Sequence, residues 1–269
     1  MKTISIYNNN TNDNKTRREN LSQKIKDNGY STGKDGDLIF VLGGDGTYLK
    51  AIERNMKQNP IFIGINTGNL GFLSEFYIDD VDRIFDMIRK KQYKIQSIPI
   101  YEAIITTKNQ VKRMYFINDI SVERKTTKII HNAIQVNDEK FGTVSGDGIL
   151  ISSSLGSTAY AISTKGAISY DCSDVIQLNP LNPIHTRAYH SLLHTVILKD
   201  TNEITISPYH KKKIPIRIAC DGREVKLNDI RSVVVRKSPF KARFFRSLAY
   251  TDAVNIRTKI LEDNQSLEI

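Results

Sequence analysis

Gly43-Gly44-Asp45-Gly46-Thr47 is the stretch on which the reading of this chain turns. The apolar run Leu38-Ile39-Phe40-Val41-Leu42 leads into it, and Tyr48, Leu49, Ile52 and Met56 leave it at helical spacing. A buried strand, a tight turn and a helix start are the expected result. The first backbone N–H groups of a helix have no intrahelical acceptor and can meet an anion. Glycine serves where φ must be positive or where a ligand approaches the backbone closely. The turn therefore suits phosphate. Its centre, however, carries a carboxylate, which repels phosphate. Either a metal lies between the two charges, or Asp45 serves a hydroxyl that loses its proton beside a phosphate. The bland alternative is an ordinary turn with Asp45 as a helix cap.

Outward from the turn, elements alternate. Thr3 to Tyr7 reads as a strand, and Asn14 to Asn28 as a helix ended near Gly29. Gly33 to Gly36 is a turn, and the helix after the central turn should run from Thr47 to about Lys57. Pro60 to Asn66 is another apolar run of strand length, and Asp79-Asp80 opens a helix with Val81, Ile84, Phe85 and Ile88 on one face. Strands alternating with helices predict a parallel sheet, whose ligands bind at the carboxyl ends of strands. Gly43–Thr47 and the loop Thr67–Phe72 both lie at such ends.

The texture changes near Ser97-Ile98-Pro99. Short strands are expected at 101–107, 113–117, 129–136, 194–198, 203–207, 215–219 and 232–236, with Asp221-Gly222 as a hairpin turn. The expected architecture is α/β plus β: an N-terminal parallel-sheet α/β domain over residues 1–98 and a β-rich, sandwich-like domain over 99–239. Phe240, Phe244, Phe245 and Leu248 make the chain too apolar for a free tail until about Asn255, so the C-terminal segment 240–269 is expected to pack back on the first domain, its final charged stretch carrying little signal.

Composition sets the class. The chain has 269 residues, 39% hydrophobic and 25% charged, as expected of a globular protein with a sizeable core. A net charge of +10 favours polyanionic partners such as nucleotides, polyphosphate or nucleic acid, although no basic cluster dominates. Lys211-Lys212-Lys213 reads as a hairpin loop. Two cysteines, Cys172 and Cys220, fit a reducing compartment and exclude a disulfide framework. Without an apolar leader or a run of about 20 apolar residues, a cytoplasmic protein is expected. Both GxxxxGK[ST] and GxGxxG are absent, which argues against a P-loop and a Rossmann fingerprint. His190 and His194 have the spacing of a helical metal pair, but no carboxylate lies between them and the following residues read as strand.

A second cluster follows. Ser145-Gly146-Asp147-Gly148 precedes Ser152-Ser153-Ser154-Leu155-Gly156-Ser157-Thr158-Ala159-Tyr160, a hydroxyl-rich stretch able to bind sugar and phosphate, with Tyr160 to cover a base. The segment from Ala159 should start a helix. Asn118-Asp119, read as ending a strand, offers an amide and a carboxylate of the kind that pair with a ribose diol.

Taken in order, Gly43–Thr47, Gly64-Ile65-Asn66-Thr67-Gly68-Asn69-Leu70-Gly71-Phe72-Leu73, Asn118-Asp119, Gly146-Asp147-Gly148 and Gly156–Tyr160 resemble the NAD kinase family of bacterial type. The first motif is shared with lipid kinases and phosphofructokinases; the second and last are far more specific. The resemblance implies Mg²⁺-dependent phosphoryl transfer from ATP, or from polyphosphate, to the 2′-hydroxyl of NAD's adenosine ribose, giving NADP. It makes Asp45 the general base and places Gly43, Gly44, Gly46 and Thr47 in the phosphate loop. It lines the dinucleotide pocket with Asp45, Gly46, Phe72, Leu73, Asn118, Asp119 and Asp147. Thr158, Ala159, Tyr160 and Ser163 should hold adenine and the neighbouring ribose, and Asn182 and Ile184 should complete the pocket. It assigns no protein side chain to a metal, and it implies a homodimer or homotetramer with no nucleic acid or membrane partner. The chain departs from the family in three places. Asp119 stands where Glu is usual, the proline usual before Gly156 is missing, and Asn179–His185 differs in detail. Two rival readings remain: a lipid kinase, which shares the first motif, and a nucleotide- or nucleic-acid-binding regulator, suggested by the charge.

Overall fold

The computed structural model describes residues 3–8, 12–68, 71–170, 174–209, 214–257 and 260. Asn69, Leu70, Cys172 and the Lys211–Lys213 run lie outside them. The chain divides into two compact units. One is drawn from the residues before Pro99 and from Phe240 onward; the other is Pro99–Pro239.

The first unit opens with β1 (Thr3–Asn8), α1 (Asn12–Asp27), β2 (Ser31–Thr32), β3 (Leu38–Leu42), α2 (Asp45–Asn55), β4 (Ile61–Asn66), β5 (Phe76–Tyr77) and α3 (Val81–Lys90). The strands pair in parallel in the order β2-β1-β3-β4, with Ile4 to Asn8 in register against Leu38 to Leu42. The expected alternation is therefore present, and β2 is an addition too short to read from sequence. Asp45 begins α2, two residues ahead of the expected start at Thr47, because Gly44 takes the extended cap position. Asp80 accepts the Tyr77 N–H and so fastens the entry to α3. The core gathers Ile4, Leu21, Ile25, Phe40, Leu42, Ile63, Ile65, Ile84 and Phe85, which are fully buried. These are the apolar faces that the helical and strand spacings select.

The second unit holds β6 (Tyr93–Thr107, entering it at Pro99), β7 (Val111–Phe116), β8 (Asp119–Arg124), β9 (Ile130–Val136), β10 (Glu139–Gly146), β11 (Gly148–Ser153), the single-turn helix α4 (Tyr160–Ser163), β12 (Val175–Leu181), β13 (Val196–Lys199), β14 (Ile204–Pro208), β15 (Ile216–Cys220), β16 (Arg223–Val225) and the start of β17 (Ile230–Ser247). One sheet runs β13-β12-β11-β8-β15-β16, antiparallel throughout. A second layer includes β10-β9-β14-β17 and the β6–β7 hairpin. Their inner faces bury Ile120, Val122, Ile149 and Ile151 together with Ile134, Val144, Ile204, Ile206, Val233 and Val235. Such a two-layer core is a sandwich. The α/β-plus-β expectation holds.

The chain then returns to the first unit. Arg243 and Phe244 of β17 pair in parallel with Ile61 and Phe62, Phe245 joins the core, and α5 (Asp252–Ile256) follows.

Several local expectations are corrected. Asp119 opens a strand and does not end one. The helix expected from Ala159 is a single turn, preceded by a 3₁₀ turn at Leu155–Thr158. Both β6 and β17 run through a proline, Pro99 and Pro239, where strands would be expected to stop. In its ladder with β7, β6 pairs from Tyr101 to Thr106, beyond Pro99. No helix among the described residues is long and apolar enough to cross a membrane.

Candidate functional site

In the first unit the site begins at Gly43, whose φ of +143° follows from the reversal between β3 and α2. A side chain there would also meet the Thr47 hydroxyl at 2.7 Å. The Gly43 N–H donates to the Ile65 carbonyl and the Thr47 N–H to the Gly44 carbonyl, at 3.0 and 2.9 Å. Those two amides point inward, and Thr47 is buried. Gly44 and Gly46 are exposed, with open space where a side chain would stand. They are the exposed members of the turn.

Asp45 is the first residue of α2, where the helix dipole favours negative charge. Its carboxylate does not cap its own helix. Oδ2 accepts the Phe72 N–H at 2.7 Å and Oδ1 the Leu73 N–H at 3.0 Å. The central turn and the Gly71–Leu73 segment thus meet at one carboxylate. Gly71 is required for that meeting: a Cβ there would lie 2.4 Å from Asp45 Oδ1. Leu73 reaches the site through its backbone, since its side chain is buried, whereas the Phe72 side chain is half-buried. Behind the loop, Arg246 donates from Nη1 to the Leu73 carbonyl and from Nε to Gln96, both at 2.9 Å. The residue is 1% exposed, and its guanidinium lies over the rings of Tyr250 and Phe244, at 4.1 and 5.0 Å. Sequence reasoning missed Arg246, because nothing local distinguishes it from its basic neighbours.

In the second unit the remaining residues gather around the middle of the β13–β16 sheet. Asn118 and Asp119 stand at the start of β8, beside the end of β11, where the Ser153 N–H donates to the Asn118 carbonyl at 2.9 Å. Ser153 Oγ accepts the Gly156 N–H at 3.0 Å and donates to the Ile117 carbonyl. This hydroxyl ties the 117–119 segment to the Gly156–Tyr160 turn. The nearby Tyr160 amide favours the ionised form of the Asp119 carboxyl. Burial, and then the charge of Asp221, push Asp119 up to about 7, far above the usual carboxylate range.

Asp147 lies between β10 and β11. Its carboxylate accepts from Arg124 Nε at 2.7 Å and from Asn182 Nδ2 at 2.9 Å. Asn182, with φ of +42°, follows β12, and Ile184 is held by its N–H on the Ser145 carbonyl at 2.7 Å. A cavity of about 560 Å³ takes its lining from Asp147, Tyr160, Ser163 and Asn182, together with Glu123, Arg124 and His194. Tyr160 is 43% exposed at its wall. Thr158 and Ala159 form the turn leading into Tyr160. The cavity's Glu123 had a sequence signal: Asp119, Ser121 and Glu123 alternate with the buried Ile120 and Val122, giving β8 one polar face. His185, His190 and His194 do not form a helix, and among the described residues no three His, Cys, Asp or Glu side chains group as a metal site.

Relatives of known name define the class to which this arrangement belongs. Residues 4–93 match the family described as the ATP-NAD kinase N-terminal domain, and residues 117–247 match the ATP-NAD kinase C-terminal domain. The chain is 31% identical over 238 residues to the NAD kinase of Clostridium beijerinckii, covering 87% of this chain and 81% of that protein. It is 30% identical over 214 residues to the NAD kinase of Finegoldia magna, covering 76% and 77%. Among solved structures, the yeast NADH kinase complexed with NADH superposes with a TM-score of 0.85 at 18% identity, over 100% of this chain and 89% of that one. The Archaeoglobus fulgidus NAD kinase in complex with ATP gives 0.75 at 20% identity, over 96% and 99%. These two likenesses bear on the fold. The chain belongs to the NAD kinase family.

Proposed function

We propose that this enzyme transfers the terminal phosphoryl group of ATP to the 2′-hydroxyl of NAD's adenosine ribose, with Asp45 as general base. The observation that carries the role of Asp45 is its double anchoring by the Phe72 and Leu73 amides. Each oxygen spends one lone pair on an N–H and keeps another for a hydroxyl proton. The two bonds fix the direction in which the carboxylate can accept. As the 2′-oxygen bonds to phosphorus, its proton passes to Asp45, and the bond from phosphorus to the departing ADP oxygen breaks. Gly44 and Gly46, exposed at the helix N-terminus, offer their backbone to the phosphates. Asn118, Asp119, Tyr160 and Ser163 recognise the adenosine, and Asp147 with Asn182 completes the dinucleotide pocket. A divalent ion such as Mg²⁺, carried on the donor's own phosphate oxygens, would offset the repulsion between donor and Asp45. A homodimeric or homotetrameric assembly and a cytoplasmic location belong to the same proposal and rest on family likeness.

Two assays test this reading. NADP formation is followed with NAD or NADH against ATP-Mg²⁺ or polyphosphate, and a lipid acceptor is offered in a parallel arm. Asp45→Asn should keep the fold and lower kcat by about 10²- to 10⁴-fold, the usual worth of a positioned base. Wild-type turnover in that variant would remove Asp45 from the chemistry, and phosphorylation of the lipid alone would replace the acceptor.

A further inference from the structure

We propose that Asp221 is a positioning residue for the adenosine-recognising segment, holding the Asn118–Asp119 backbone through its carboxylate. The proposal rests on the reading that Asn118 and Asp119 contact the dinucleotide. Asp221-Gly222 is the two-residue turn between β15 and β16, with φ of +46° and +71°. Turn chemistry alone would accept Asn or Gly at the first of these positions equally well. The carboxylate has a further use. Oδ1 accepts the N–H groups of Asn118 at 2.9 Å and of Asp119 and Ile117 at 3.3 Å, and Oδ2 accepts Ile117 at 3.1 Å. The Asp221 N–H in turn donates to the Asp119 carbonyl at 2.9 Å.

Those donors need such an acceptor because β7 ends at Phe116 and β8 starts at Asp119. The residues between belong to no ladder, and unmade backbone bonds there would be costly. The Asn118 peptide is gripped from both sides: Asp221 takes its N–H, and the Ser153 N–H reaches its carbonyl. Burial pushes Asp221 up to about 6, against the pull of the three amides and of Arg223. The charged groups that face Asp119 are Asp221 and Glu123, and the Tyr160 amide opposes them. Asp221 therefore acts on its neighbour in two ways, by placing its backbone and by holding a proton near its carboxyl.

Steady-state kinetics on the full-length enzyme separates these effects. Asp221→Gly keeps a residue that suits the turn and removes the clamp. It should raise KM for NAD by about 10- to 100-fold, the effect of a displacement near 1 Å, while KM for ATP stays within about twofold. In Asp221→Asn the charge is lost and one acceptor oxygen remains. If ionised Asp119 accepts the substrate's donors, kcat/KM for NAD rises with pH as Asp119 ionises, and this variant should move that acid limb to lower pH. Asn118→Ala is the arm that tests the underlying reading: an unchanged KM for NAD there would sink the contact itself. With Asn118→Ala impaired, the proposal is overturned if folded Asp221→Gly keeps its KM for NAD or loses NAD and ATP affinity together. Should Asp221→Gly not fold, Asp221→Ser takes its place, since its shorter side chain with one oxygen cannot serve all three amides, and an unchanged KM for NAD there overturns the proposal.

Discussion

Substituting Gly71 by alanine tests the catalytic geometry without touching a polar atom. The new Cβ would stand 2.4 Å from Asp45 Oδ1 and 3.0 Å from Cγ. Ordinary contact is about 3.4 Å, so about 1 Å must be found. A flexible side chain could yield cheaply, but this carboxylate is short and tied by two amides at 2.7 and 3.0 Å. Either it leaves those donors or the 71–73 loop retreats. Each charge-assisted bond contributes about 1.5–3 kcal/mol. Gly→Ala returns about 0.4–1 kcal/mol by restricting the unfolded chain. The net loss of stability is then about 1–3 kcal/mol, a fall of several degrees in Tm at this size. A displacement near 1 Å of a reacting group costs about 10²-fold in rate. Catalysis should therefore suffer more than folding. The assay is kcat and KM for NAD and ATP beside a thermal melt, with Gly68→Ala as control because open space surrounds that position. In an Asp45→Asn background, Gly71→Ala should add little, since both act on one carboxylate. A Gly71→Ala enzyme within about threefold of wild-type kcat, beside an inactive Asp45→Asn, would refute the claim that Asp45's position governs turnover.

Arg246→Met should leave the Leu73 carbonyl and the Gln96 side chain without their donor. A loss of about 2–4 kcal/mol in urea unfolding is expected, with partial recovery in Arg246→Lys; an unchanged midpoint would contradict the anchoring role. The raised Asp119 gives a pH test. Its folded value of about 7 exceeds that of the unfolded carboxylate, so the native state binds the proton more tightly. Its contribution is most favourable below about pH 4 and is lost as pH rises toward 7, by about 4 kcal/mol at most. Asp119→Asn should therefore gain in Tm relative to wild type between pH 5 and pH 8, and a difference independent of pH would show that the carboxyl titrates normally.

The first unit was largely legible because its signals are local. Leu38–Leu42 is apolar at every position, as a strand covered on both faces must be, and three glycines mark the turn beyond it. The Asp221-Gly222 hairpin was legible for the same reason. In the second unit β8, β10 and β12 went unread. Asn179 and Gln177 are buried within β12, and Thr143 and Ser145 interrupt the apolar pattern of β10, so alternation by hydrophobicity fails there. Pro99 and Pro239 misled in the other direction, since each looks like the end of a strand and each lies inside one.

The sequence by itself determined the parallel α/β start, the β-rich middle, the phosphate-type turn and the kinship carried by its separated motifs. Spacing along the chain can specify these, since hydrophobic period and turn chemistry act over a few residues. Only the tertiary structure decided that Asp45 is held by Phe72 and Leu73, that Arg246 braces their loop and that Asp221 holds Asn118 and Asp119. Those partners lie 27, 28, 173 and about 100 residues apart. Hydrogen bonds form where folding brings donor and acceptor within about 3 Å, and no local pattern in the chain encodes which pairs will meet.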